Sequence, residues 1–583
     1  MTIRGEKWPL TASRASVSRR PRGFMILAST LAALITVLIL YPLGATWVSV
    51  FFLRGDSVTT ILTATIREPD IGKVLWNTAV IIGGSVLIAT AIGATLAWLS
   101  ERSDASMGWV TRALPLVPFL VPPIVGAVGW TILTAPKSGY LNLIVRGIAS
   151  WFGLDISTGP LNPYNWVGII FVYSLYLVPL VYLPIAASLR NLDPSLEEAS
   201  TSSGASPWWT LRYVTLPAIK PAIGAGALLA LIYALSQYSI PAILGNVPRI
   251  EVLTVRIVRL MSVFPAQIGV ALTLGMLMIV VIITGLWLQR RILSRSRFAT
   301  IGGRGMRSTV VALGRWKWPS RIVMLSYFLI TTILPFIAIV LLSMQPFWSS
   351  VIHWTSFNLN NYTDVLGGLS ALGRGARDAL LNSLSLASIG ATGSIVISAI
   401  IVAFTHRHWS NPLARLTEAS TKLPGAVSHV VIGIAFIGAL AGPPFRLSGT
   451  LAILLLAYLV VTMPQASFIV STAYSQVGKE LSEASFTSGA SETRTFAKIS
   501  LPLMIPGLAA GWATVFVLMA GDVTVSVMLA SPGRPVVGYE ILDLWTFGGL
   551  PTLATIATVF TLLSCAVVLG ALALSRKMAL VRR

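Results

Sequence analysis

The chain has 583 residues, of which 55% are hydrophobic and only 11% charged, with a mean hydropathy of +0.80 and a formal net charge of +22. Soluble proteins carry about a quarter charged residues, and a single soluble core stops growing near roughly 250–300 residues. An ordinary soluble protein is excluded, and an all-α polytopic membrane protein is expected.

In chain order, apolar stretches of spanning length fall near 24–48, 74–99, 113–135, 165–189, 217–244 and 266–289, then near 322–344, 379–404, 420–441, 450–475, 504–530 and 552–575. About twelve spans place both termini on one side. With the termini inside, the inner segments hold 30 of the 42 Lys and Arg residues, which is the positive-inside bias. The charge therefore orients the chain and gives no reason to expect nucleic acid. The run from Phe24 to Phe52 is longer than a signal-peptide core and reads as a retained first helix. Cys565 is the single cysteine, so no intrachain disulfide forms, and His353, His406, His408 and His429 show no metal-ligand spacing beyond the His406–His408 pair. No cofactor is expected.

Residues 290–321 carry nine basic residues, no acidic ones, and glycines at 302, 303, 305 and 314. This segment reads as a cytoplasmic linker held near the inner leaflet, between a first half (1–289, core 60–289) and a second (322–583, core 370–575). The halves match. Asn77-Thr78 and Asn382-Ser383 open the second span of each, while Pro179 and Pro464, Pro221 and Pro506, and Gly226 and Gly511 keep an offset of 285. Since each half begins inside, the six-span repeats run parallel about an axis along the membrane normal, and a pathway is expected between them. The prolines of the third span (115, 118, 122 and 123) persist in lipid only where neighbours satisfy the freed backbone groups.

A polar segment repeats in the same register. Glu198-Ala199-Ser200-Thr-Ser-Ser-Gly204 returns as Glu483-Ala484-Ser485-Phe-Thr-Ser-Gly489, and each copy runs on to Leu-Pro, at Leu216-Pro217 and Leu501-Pro502. Asp193-Pro194 suits the start of a short helix, with Ser482 and Glu483 at the corresponding start in half two. Gly204 and Gly489 suit its end. Both copies resemble the EAA loop of ABC importer permeases, which usually reads Glu-Ala-Ala, three residues, Gly, nine residues, Ile-x-Leu-Pro. The third position is serine in both copies, and Val214 replaces isoleucine in the first.

The resemblance covers most of 60–290 and 370–575. It implies two permeases fused end to end in the type I importer fold, in a bacterial cytoplasmic membrane with both termini cytoplasmic. It also implies two copies of an ABC ATPase docked on the two loops, an external substrate-binding protein, and alternating access driven by ATP. No segment fits G-x-x-x-x-G-K-[ST], so ATP hydrolysis is expected on the partner chains. Fused permeases of this size most resemble the ferric-iron importers, with the thiamine, phosphonate and related anion or cation importers as neighbours, so ferric iron or another small solute is expected. Ala135-Pro-Lys-Ser-Gly-Tyr-Leu-Asn142 on the first large outer loop, where contact with the binding protein is expected, resembles the iron-type group.

Within the spans, Asp522 is the one acidic residue well inside half two, with Gln237 at the matching place in half one. An intramembrane carboxylate marks a pathway by default, although Asp522 could equally be solvated near the outer interface. Tyr233, Tyr238 and Trp512 could line the route or simply pack. Two readings compete with the permease: an ion-coupled secondary transporter with parallel six-helix repeats, and a membrane-embedded enzyme. The first would call for buried ionisable residues, which are almost absent, and the second for a nucleophile or paired carboxylates.

Overall fold

The computed structural model describes residues 23–53, 58–293, 310–349 and 351–580. The first 22 residues and half of the basic linker, 294–309, lie outside the described residues. Among the described residues the chain is helical throughout, and no strand longer than an isolated bridge forms.

Among the described residues ten helices are long and apolar enough to cross a bilayer, and two bent pairs, each counted as one span, bring the total to twelve. The expected spans 113–135 and 420–441 are those pairs. Trp109–Leu120 meets Pro123–Thr134 at 90°, and Pro412–Ala426 meets His429–Leu440 at 114°. In the first pair, Pro122 and Pro123 remove consecutive backbone donors, so the helical ladder cannot continue. In the second, Leu423–Ala426 tightens into a 3-10 turn around Pro424-Gly425 before the chain turns at Val427.

The expected spans 217–244 and 504–530 are also interrupted. Leu216–Ser236 stops before Gln237 and resumes as Ser239–Leu244. Leu501–Ala520 stops before Asp522 and resumes as Thr524–Leu529. The two candidate pathway residues thus stand at matched breaks in the fifth spans, not inside continuous helices.

The first span of each half crosses to the other half. Gly23–Val48 packs on the bent pair of half two, where Thr46 donates to the Ala435 carbonyl at 2.8 Å. Leu334–Ser343 packs on Pro123–Thr134 of half one. Just before it, Tyr327 donates to the Leu175 carbonyl at 3.0 Å and Tyr176 to the Thr331 carbonyl at 3.4 Å. These exchanged spans make the halves one body. The second exchanged span begins at Gly314, inside the stretch read as linker. Its approach is stitched to the loop after the second span: Val311 N–H donates to the Arg102 carbonyl at 2.9 Å, and Leu313 N–H to Asp104 Oδ1 at 3.0 Å. Lys317 lies 3.4 Å from the Asp104 carboxylate. The Leu313 N–H, with Lys317 behind it, holds the Asp104 carboxyl below its ordinary range.

The repeat seen in sequence is a repeat of contacts. Asn77 donates to the Glu251 carbonyl at 3.1 Å, and Asn382 to the Pro535 carbonyl at 2.9 Å. Thr78 and Ser383 accept from the N–H of Leu253 and Val537 at 2.9 and 2.8 Å. These clamps hold a short helix, Leu253–Ser262 in half one and Val537–Phe547 in half two, across the start of each second span. Gly226 and Gly511 let the fifth span close on the fourth. A Cβ would lie 3.0 Å from Val181 Cα at the first and 2.7 Å from Ile469 Cγ2 at the second. Gly511→Leu is expected to cost about 2 kcal/mol through overpacking, read as a lower thermal unfolding midpoint of the detergent-purified chain, while Gly570→Leu, where nothing lies within 4 Å, leaves the midpoint unchanged.

Candidate functional site

Two short helices join the fourth and fifth spans, Pro194–Ser202 in half one and Lys479–Thr487 in half two. Asp193 caps the first by accepting from Ser195 N–H at 2.9 Å, which holds its carboxyl below the ordinary range. Both helices end on glycines in the left-handed region, Gly204 at φ +86° and Gly489 at φ +80°, a conformation that a side chain disfavours. The chain then enters a one-turn helix capped by Ser206 or Ser491. A π turn at Leu211–Thr215 or Phe496–Ser500 follows and leads into Leu216-Pro217 and Leu501-Pro502, which start the fifth spans.

The serines that depart from Glu-Ala-Ala have a matched purpose. Ser200 bonds Thr210 at 2.9 Å, and Ser485 bonds Thr495 at 2.8 Å. Each hydroxyl pair ties the short helix to the turn that follows, so these positions face inward instead of forming a smooth outer surface. Outward stand Glu198, Ala199 and Leu196 in half one and Glu483, Ala484 and Leu481 in half two. The matched leucines are 49% and 50% exposed. Each half therefore offers an apolar side chain beside a carboxylate, raised on a helix fixed at both ends.

The anchoring differs between halves, which the repeat did not announce. Glu197, beside the motif glutamate, is buried. It accepts from the Thr215 hydroxyl at 2.7 Å and lies 3.2 Å from the Arg102 guanidinium. Arg102, 1% exposed, also donates to the carbonyls of Leu189 and Leu192 at 2.9 and 3.0 Å. A charged pair so buried needs these extra bonds to offset its desolvation. Half two has Ser482 and Ser500 at the places of Glu197 and Thr215. There Arg407 pairs with Glu492 at 2.9 Å and lies 3.9 Å above the Phe486 ring. The sequence signal for this anchor was the arginine ending each second span, Arg102 and Arg407, which had no assigned role.

Between the halves, the two breaks meet. Thr524 donates to the Ser236 carbonyl at 3.3 Å. Asp522 accepts from Val525 N–H at 2.8 Å, capping the short helix, and its other oxygen lies 3.7 Å from His429 Nδ1. Its side chain is 11% exposed, so it is not solvated surface. Gln237 donates to Ser239 at 2.8 Å. His429 opens the second arm of a bent pair, a position that sequence spacing could not connect with Asp522. Of the aromatics, Trp512 donates to Thr392 at 3.0 Å and stacks on Phe516, so it packs. The Ala135–Asn142 stretch is also held inward. Asn142 is fully buried and donates to the carbonyls of Thr134, Ala135 and Leu161, and Tyr140 accepts from Gln345 of half two at 3.0 Å.

Two parallel helical repeats with exchanged first spans, a polar junction between them and a raised helix on each half define a membrane transport subunit, a permease. The chain belongs to the family of binding-protein-dependent transport system inner membrane components, whose model matches residues 88–298 and again 394–579. It is an ABC importer permease in which two permeases are fused. It is similar to the ferric transport system permease protein FbpB of Actinobacillus pleuropneumoniae, 24% identical over 88% of this chain and 72% of that one. It is likewise similar to the Fe(3+)-transport system permease protein FbpB 2 of Haemophilus influenzae, 24% identical over 85% and 89%. A molybdenum transport system permease protein, ModB of Haemophilus influenzae, matches 26% of this chain and 63% of its own length at 29% identity.

Removing one partner of the buried pair leaves the other charge stranded, at a cost of about 3 kcal/mol. Glu197→Ala is therefore expected to lower the unfolding midpoint and loosen the 194–202 helix, read as faster hydrogen exchange there, with the 479–487 helix unchanged.

Proposed function

We propose that the chain forms the translocation pathway of an importer and takes its energy from two ATPase subunits seated on the helices Pro194–Ser202 and Lys479–Thr487. One observation carries this reading: two helices 285 residues apart expose the same leucine and glutamate and are locked to the following turn by the same hydroxyl pair. A rigidly tethered helix transmits displacement, whereas a loose one would absorb it. Glu198 and Glu483 supply the charge and Leu196 and Leu481 the apolar anchors, an arrangement suited to a groove on a partner. ATP-driven approach of the partners would draw the two helices together and rotate the halves about their shared interface. Both termini are taken to be cytoplasmic, in keeping with the distribution of Lys and Arg.

The junction of Gln237, Asp522 and His429 is the proposed constriction of the pathway. A carboxylate beside an imidazole suits a cationic or metal-bearing solute, and the ferric transport relatives agree with iron as the cargo, delivered by an external binding protein. The secondary-transporter reading has no comparable support, since it would leave the paired helices without a task.

Glu198→Arg combined with Glu483→Arg is expected to abolish uptake and co-purification of the ATPase while the chain still reaches the membrane; unimpaired uptake would remove the coupling assignment. Asp522→Asn is expected to slow uptake by about tenfold while ATPase co-purification persists, an order of magnitude corresponding to about 1.4 kcal/mol at the barrier. An unchanged rate would leave Asp522 as a helix cap only.

A further inference from the structure

The short helices Leu253–Ser262 and Val537–Phe547 are equivalent by their hydrogen bonds. Leu253 and Val537 make the same backbone bond to Thr78 and Ser383, and the chain just before each accepts from Asn77 or Asn382. Counting from those anchors, Arg256 corresponds to Glu540 and Arg259 to Asp543. Counting back from Asn77 and Asn382, Lys73 corresponds to Asp378. At three equivalent positions the charge is inverted. Burial is conserved where charge is not, since Arg256 and Glu540 are each 8% exposed.

The two clusters are satisfied differently. Arg256 is paired within half one, to Glu251 at 2.8 Å and Glu68 at 3.0 Å, and Arg259 also reaches Glu251. The Glu540 carboxylate has no hydrogen bond or ion pair among the described residues, while its backbone N–H donates to the Val536 carbonyl at 2.9 Å. Burial, with Asp543 and Asp378 nearby, pushes its carboxyl up to about 7. Arg374 and Arg377 begin the same span as Asp378, but their side chains lie against the Gly368 turn. Half two thus presents three carboxylates that lack a cation. Half one presents exposed Lys73 and Arg259 on the rim of a cleft of about 440 Å³ that also holds Arg249 and Arg256, four basic residues against the two acidic ones that line it, Asp70 and Glu251. A second cleft, lined by Arg249, Val258 and Arg259 of one half and Leu542 and Trp545 of the other, joins the two surfaces.

A pseudo-two-fold surface by itself accepts a partner in two orientations related by a half-turn. Opposite charges at equivalent positions remove that degeneracy, because the wrong orientation sets like charges together. We infer that this surface docks an external binding protein in one orientation only, with an acidic patch over Lys73 and Arg259 and a basic patch over Asp378 and Asp543, the buried Arg256 and Glu540 lying behind them. The inference rests on the importer reading above, which places both helices on the outer side.

The test uses the full chain with its ATPase subunits in lipid nanodiscs. The probe is a purified binding protein selected because it stimulates ATP turnover of that assembly. Asp378→Lys with Asp543→Lys, or Lys73→Asp with Arg259→Asp, is expected to weaken its association about tenfold and to flatten the salt dependence. Exchanging all four charges between halves is expected to restore affinity to within about threefold, with cross-links from one lobe of the probe moving from half one to half two. Reversals that bind like the unmodified chain, or a four-fold exchange as weak as either pair, would overturn the inference and leave the importer reading standing. If no binding protein stimulates the unmodified assembly, the importer reading and the inference fall together.

Discussion

A bilayer offers no hydrogen-bond partner to an interrupted helix, so every break in this chain must be covered by protein. That constraint organises the fold. The four interruptions, at Pro122, Val427, Gln237 and Asp522, come in two matched pairs, and all four draw on the opposite half for cover. Pro122 faces Gly521, and Thr524 bonds the Ser236 carbonyl. The exchanged first spans close over the bent pairs, at Thr46 and Ala435 on one side and at Leu334–Ser343 on the other. A continuous helix could have faced lipid, whereas a broken one cannot. The breaks thus put the polar backbone and the one carboxylate of the fifth spans at the seam between the halves, where the pathway is proposed to run.

The same constraint explains why the proposed coupling surface is rigid. The two short helices are capped, terminated by left-handed glycines and tied by serine–threonine pairs to the turn behind them. Half one adds a buried ion pair with three anchoring bonds, two from Arg102 and one to Glu197, while half two uses an arginine over an aromatic ring. A buried pair is poor value as stabilisation alone, but it fixes position. The halves therefore share geometry and differ in chemistry, as the outer helices do with inverted charge. Fusion of two repeats in one chain lets each half drift away from symmetry without losing its partner.

Much of this was legible in one dimension. The spans follow from runs of apolar residues, because lipid accepts little else, and the repeat follows from Glu198–Gly204 and Glu483–Gly489 standing in register. Asn77 and Asn382 carried the repeat outside the loop, though not their task of clamping the outer helices. That Ser200 and Ser485 face inward was not legible, because a helix exposes only one side, and which side depends on where Thr210 and Thr495 come to rest.

Composition, period and register, which are local properties, already define the class: an all-α membrane chain of two parallel repeats with a paired polar loop. Tertiary contacts alone settle that the fifth spans are broken, that the first spans change sides, that Glu197 is buried while Glu198 is not, and that His429 stands beside Asp522. Each of these depends on which surfaces meet far apart in the chain, and the physical reason is the same each time. A polar group buried in lipid must find its partner wherever the fold brings one, and one-dimensional spacing does not record where that is.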